Sequence, residues 1–115
     1  MKKSDKKTDN AIREALTRVC EQALEHVVDF QWITHTVNYN SFPGSLSVVC
    51  VFETDEGLAL AISRGDDDML RGLIQDQLSA SGIRISDIRQ RVRFDTEEAC
   101  LRNNSGRWGE RLRQH

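Results

Sequence analysis

Eight arginines lie between residues 84 and 113: Arg84, Arg89, Arg91, Arg93, Arg102, Arg107, Arg111 and Arg113. Five carboxylates share the stretch, Asp87, Asp95, Glu97, Glu98 and Glu110, which leaves it at about +3. A guanidinium presents a planar fork of donors that fits phosphate or carboxylate in bidentate fashion, so arginine rather than lysine points to anion recognition. Over residues 88–94, Ile88, Gln90, Val92 and Phe94 alternate with Arg89, Arg91 and Arg93. That period of two predicts a half-buried strand with a cationic outer face. Such a face could hold phosphate backbones or an acidic protein partner. It could equally solubilise the outer face and blunt an edge strand.

Asp66, Asp67 and Asp68 form the densest acidic run. With Glu97 or Glu98 they could bind a hard cation, as carboxylates around a cleft do in metal-dependent hydrolases. The run lacks the spaced pattern of a calcium loop, and carboxylates at a helix start favour the positive end of its dipole, so capping is the preferred reading. His26 and His35 are the histidines inside the fold. A Cys–His nucleophile would need Cys20 or Cys50 beside one of them, with a third group orienting the base. Strand adjacency could bring His35 near Cys50, but nothing else supports catalysis, and both histidines are read as structural. No Gly-rich phosphate loop, GxSxG or HExxH is present. No catalytic residue, metal ligand or cofactor is therefore expected. Tyr39, Phe42 and Trp108 fall in turn or tail regions, where aromatics serve either as interface anchors or as lids on a small core.

The elements that must position these residues are bounded by size. The chain has 115 residues, 38% hydrophobic and 30% charged. That suffices for one domain with one core, but not for a catalytic domain plus a separate substrate domain. A formal net charge of −2 gives no global attraction to nucleic acid or an anionic membrane. No apolar run approaches the roughly 20 residues needed to span a bilayer, so no membrane is expected among the partners. The basic start MKKSDKKTDN is not followed by the apolar core of a secretion signal. Cys20, Cys50 and Cys100 are far apart, without a CxxC pair, which disfavours a zinc ribbon or thioredoxin-type site. Each sits in an apolar stretch as a small hydrophobe, which fits a reducing cytoplasm.

Along the chain, residues 1–7 read as a flexible basic tail, residues 8–103 as one α+β domain and residues 104–115 as a weakly ordered C-terminal tail. Apolar pairs four apart, from Ala11 and Ile12 to Val27 and Val28, draw one stripe on a first helix. Thr8, Asp9, Asn10 or an earlier residue after Ser4 could cap it. Residues 30–38 read as a strand with Phe30, Trp32, Thr34 and Thr36 on one face and Ile33, His35 and Val37 on the other. Residues 45–53 are apolar on both faces, which predicts a central strand. Pro43 and Gly44 suit the inner positions of a type II turn between them. Residues 57–63 alternate like a strand but follow a capping sequence; helix is preferred. Asp66 to Gly82 reads as the next helix, and Thr96 starts a short final one. The fold class expected is α+β, a two-layer sandwich in αββααβ order with a three-stranded sheet backed by helices and a short C-terminal helix.

That element order resembles the type II KH fold over residues 11–94, which implies RNA binding through a GXXG loop between the paired helices. The corresponding junction here is Ser63-Arg64-Gly65-Asp66-Asp67-Asp68. It lacks the second glycine and sets three carboxylates where phosphate would sit, so no KH binding residue carries over. The run FQWITHTVNYNSFPGSLSVVCVF, with FDTEEAC later, resembles a family of small uncharacterised proteobacterial proteins, some labelled Fis-family transcriptional regulators. No Fis-like helix-turn-helix with a basic second helix follows here. The function expected is a small non-enzymatic binding or adaptor domain. Its surface would be Arg84, Arg89, Arg91, Arg93, Tyr39 and Phe42. Its partner would be a protein, nucleic acid (with a transcription-associated role) or a second copy in a homodimer. A metal-dependent hydrolase using the acidic run is the remaining alternative.

Overall fold

The paired apolar residues wind into α1 (Lys3–His26), which buries Ile12, Ala15, Leu16, Val19 and Ala23 on one side. The computed structural model describes residues 2–114. Helical conformation begins inside the segment read as a tail, with Lys2 as N-cap and no side-chain cap bond. Thr8 and Asp9 are therefore internal helix positions rather than caps.

Asp29, at φ 73°, turns the chain into β1 (Phe30–Thr36). A 3-10 turn at Tyr39–Ser41 leads to β2 (Ser47–Phe52). Ser45 closes this connection: its Oγ accepts from Asn38 N at 2.9 Å and donates to Asn38 O at 2.7 Å. The type II turn expected at Pro43-Gly44 does not form. Gly44 is not among the positive-φ residues, and the Phe42–Pro43 peptide is cis. Next come α2 (Asp55–Ser63), α3 (Asp66–Ala80), α4 (Ile88–Arg91), β3 (Val92–Thr96), α5 (Glu97–Asn104) and α6 (Trp108–Gln114). The chain is an α+β domain whose αββααβ order carries an added helical turn before β3 and helices after it. The ambiguous segment 57–63 is helical, with the Thr54 side chain accepting from Gly57 N. None of the helices described is long and apolar enough to cross a membrane.

The sheet order is β1-β2-β3. β2 pairs antiparallel with β1 and parallel with β3. As its two-sided apolar pattern predicts, β2 is central and almost wholly buried. Val48, Cys50 and Phe52 join α1 and α3 in the main core. Removing a side chain such as Phe52 from water contributes about 2–3 kcal/mol. Val49 and Val51, on the far face, are also buried. The C-terminal segment reaches that far face: the Trp32 and Trp108 rings meet edge-on at 4.8 Å.

Two register features depart from the sequence pattern. A bulge between Phe30 and Trp32 pairs Phe30 with Phe52 but Trp32 with Val51. Phe30 thus joins the core while Trp32 faces the other way, although strict alternation would put both on one face. The arginine-bearing strand is also shorter than expected. Residues 88–91 coil into α4, because β2 offers partners only for residues 92–96. Alternation cannot make a strand where no neighbour completes the ladder.

Candidate functional site

The free edge of β1 faces α1 across a groove of about 860 Å³. Ile33, Val37 and Leu16 give it an apolar floor; Arg13, Thr17 and Glu21 form its helical wall. At one end Asp9 gathers three donors. Tyr39 Oη donates to Asp9 Oδ1 at 2.7 Å, Arg13 Nε to Oδ2 at 2.8 Å, and His35 Nε2 lies 3.0 Å from Oδ1. These bonds hold the carboxyl down at about 2, with His35 the largest contributor. An ionised carboxylate only accepts, so His35 Nε2 is the donor in this contact. Burial first, then the adjacent Asp9, pushes the Tyr39 hydroxyl well above its usual range.

Cys20 also lines the groove. Burial pushes its thiol up, opposed by a hydrogen bond with the Ile33 backbone. Cys50 lies beneath, fully buried, and burial pushes its thiol up further. Neither thiol has the lowered pKa of an activated nucleophile.

The expected binding residues divide between two regions. Tyr39 and Phe42 fold back: the Tyr39 hydroxyl is tied to Asp9, the rings lie 5.7 Å apart, and Phe42 packs against the core. The four arginines do not share one strand face. Arg84 is exposed in the loop after α3, Arg89 and Arg91 are on α4, and Arg93 is exposed on the far face of β3. Arg89 pairs with Asp68 at 3.2 Å. The acidic run and the arginine stripe, read from sequence as separate candidates, thus partly neutralise each other. Arg71 completes this contact, with 3.0 Å bonds to both Asp67 and Asp68 and its guanidinium 4.9 Å from the Phe94 ring centroid. Among the described residues no cluster of three or more His, Cys, Asp or Glu could hold a metal ion.

No protein-family model, curated protein or solved structure matches the chain.

Sequence reasoning missed the groove because its wall belongs to α1, read only for its apolar stripe. The signal was available: Asp9, Arg13, Thr17 and Glu21 recur every four residues, a polar line bordering that stripe. A second buried polar site was also missed. Arg111 on α6 grips Asp95 with two bonds of 2.6 and 2.9 Å and reaches Asn104 at 3.0 Å. Asp95 is 5% exposed. Its hydrogen bonds first, and then its charge, push the Arg111 guanidinium above its ordinary range. Trp108 Nε1 donates to Glu97 at 2.5 Å beside this pair.

Proposed function

We propose that the chain is a small binding module that takes an extended polypeptide segment against the free edge of β1, in the groove beside α1. One observation carries this reading: an edge strand that has no further strand beside it among the described residues opens onto a cleft with an apolar floor and a polar helical wall. Unpaired strand groups offer main-chain hydrogen bonds, and alternate side chains of an added strand find seats on the floor. Binding is favoured over catalysis because the groove thiol is raised by burial and His35 is committed to Asp9. The free Cys20, Cys50 and Cys100 fit a reducing, cytoplasmic setting. Selection from a displayed library of random dodecapeptides tests the reading. Bound peptides should shift the backbone amide resonances of residues 31–36. They should lose at least about tenfold in affinity to Thr17→Trp, which fills the groove from an exposed position. Binders that map elsewhere, or ignore Thr17→Trp, reject it.

A second reading, nucleic-acid binding through the arginines, draws on Arg84, Arg91 and Arg93 having no ion pair among the described residues. It requires affinity for a single-stranded RNA or duplex DNA probe to fall steeply with salt. Arg84→Ser with Arg93→Ser should abolish that binding; unchanged affinity rejects this reading.

A further inference from the structure

We infer that the strand occupying the β1 edge is β1 of a second copy of this chain, related by a two-fold axis; the inference rests on the groove reading above. Three features argue for a symmetric occupant. First, the edge is lightly protected: α1 engages it through the hydrogen bond between the Cys20 thiol and the Ile33 backbone, which a pairing strand would have to share or displace. β1 reads FQWITHT, without lysine, proline or a charged residue, the usual devices that keep strand edges from pairing. Its bulge lies at the Phe30 end and leaves residues 32–36 regular.

Second, the wall above that edge has a palindromic charge order. Arg13 and Glu21 stand four residues either side of Thr17, each about 6 Å from it along the helix. A two-fold axis passing Thr17 brings Arg13 of each copy against Glu21 of the other. An interface between identical copies must be self-complementary in this way; an unrelated peptide needs no such order. Arg13 is equipped for the contact: its Nε is bonded to Asp9, its side chain is 71% exposed, and among the described residues no bond engages its two amino nitrogens.

Third, the strand tolerates the same symmetry. In an antiparallel pair centred on Thr34, Trp32 faces Thr36 and Ile33 faces His35 of the second copy, and no acidic or basic side chains of like sign meet.

Sedimentation of the full chain over a concentration series, under reducing conditions, tests the inference. The expected result is a reversible monomer–dimer equilibrium. Arg13→Glu and Glu21→Arg should each weaken it about tenfold or more, and the double exchange should restore it to within about threefold, because reversing both charges keeps the pairing. Arg13→Glu also disturbs Asp9, so Glu21→Arg, on the exposed wall, provides an independent reading; circular dichroism checks that both fold. A chain monomeric up to about 1 mM, an affinity of only about −4 kcal/mol, overturns the inference, as does a dimer indifferent to both reversals. If the monomeric chain still binds selected peptides in the groove, the inference falls and the groove reading stands. If it binds none, both fall.

Discussion

At Asp9 a phenol, a guanidinium and an imidazole converge on one carboxylate, and each comes from a different part of the chain. Tyr39 belongs to the β1–β2 connection, His35 to β1 and Arg13 to the next turn of α1. The cluster therefore ties the connection to the helix. It also makes stability depend on acid. The folded carboxyl titrates near 2, below the value of about 3.9 for an unfolded aspartate. The stabilisation is thus complete above about pH 4 and is lost as pH falls from there towards 2. Asp9→Asn should cost roughly 1–2 kcal/mol at neutral pH, discounted for the open groove. In urea unfolding the gap to the parent should narrow at pH 3 and nearly close at pH 2; a gap constant with pH contradicts the assignment. The four-residue spacing places Asp9 on a polar line of α1 but does not show what gathers on it. Asp9 reads as a helix cap because caps are local and visible, whereas two of its three partners, His35 and Tyr39, lie 26 and 30 residues away.

Among the elements, those whose signals are local were legible. Thr54 and Thr96 each cap a helix, accepting from Gly57 N and Ala99 N at 2.9 Å. Gly82, at φ 82°, follows the end of α3 as predicted. What stayed hidden depended on neighbours: the bulge at Gln31 and the coiling of residues 88–91 follow from the position and length of β2. Gly57 shows how tightly two elements can be joined. A Cβ there would run into the Asp29 carboxylate, whose Oδ2 accepts from Thr54 N at 3.0 Å and Thr54 Oγ1 at 2.9 Å. Gly57→Ala should therefore lower stability by about 2 kcal/mol even though alanine favours helix, because it expels Asp29 from its bonds. In an Asp29→Gly background, which removes the Asp29 Cβ as well as its carboxylate, the same change should become neutral or stabilising. Chemical denaturation of the four-member cycle checks this; additive costs contradict it.

Across the whole molecule, the far face of the sheet depends on the C-terminal segment that sequence patterning left without a role. Side-chain exposure is 17% for Arg111 and 5% for Asp95. Arg111→Met removes the two-bonded guanidinium from that buried carboxylate and should cost about 3 kcal/mol; the double variant with Asp95→Asn should recover a good part of it. Melting curves of the three variants decide this, and a loss below about 1 kcal/mol for Arg111→Met would mark the contact as a surface pair. The general shape was readable because β2 is apolar on both sides and so had to be central; a second layer of cover over the far face was not expected. Which segment supplied the second layer was not readable, since α6 spans only Trp108–Gln114 and has too few apolar residues to draw a stripe.

The slip at Gln31 has a wider consequence. By letting consecutive aromatics of a single strand look in opposite directions, it gives so thin a platform an anchor above and another below: Phe30 against Phe52, Trp32 against Trp108. Were Gln31 held in a regular ladder instead, alternation would send both rings to the same side, and either the inner packing or the outer clasp would lose its aromatic rivet.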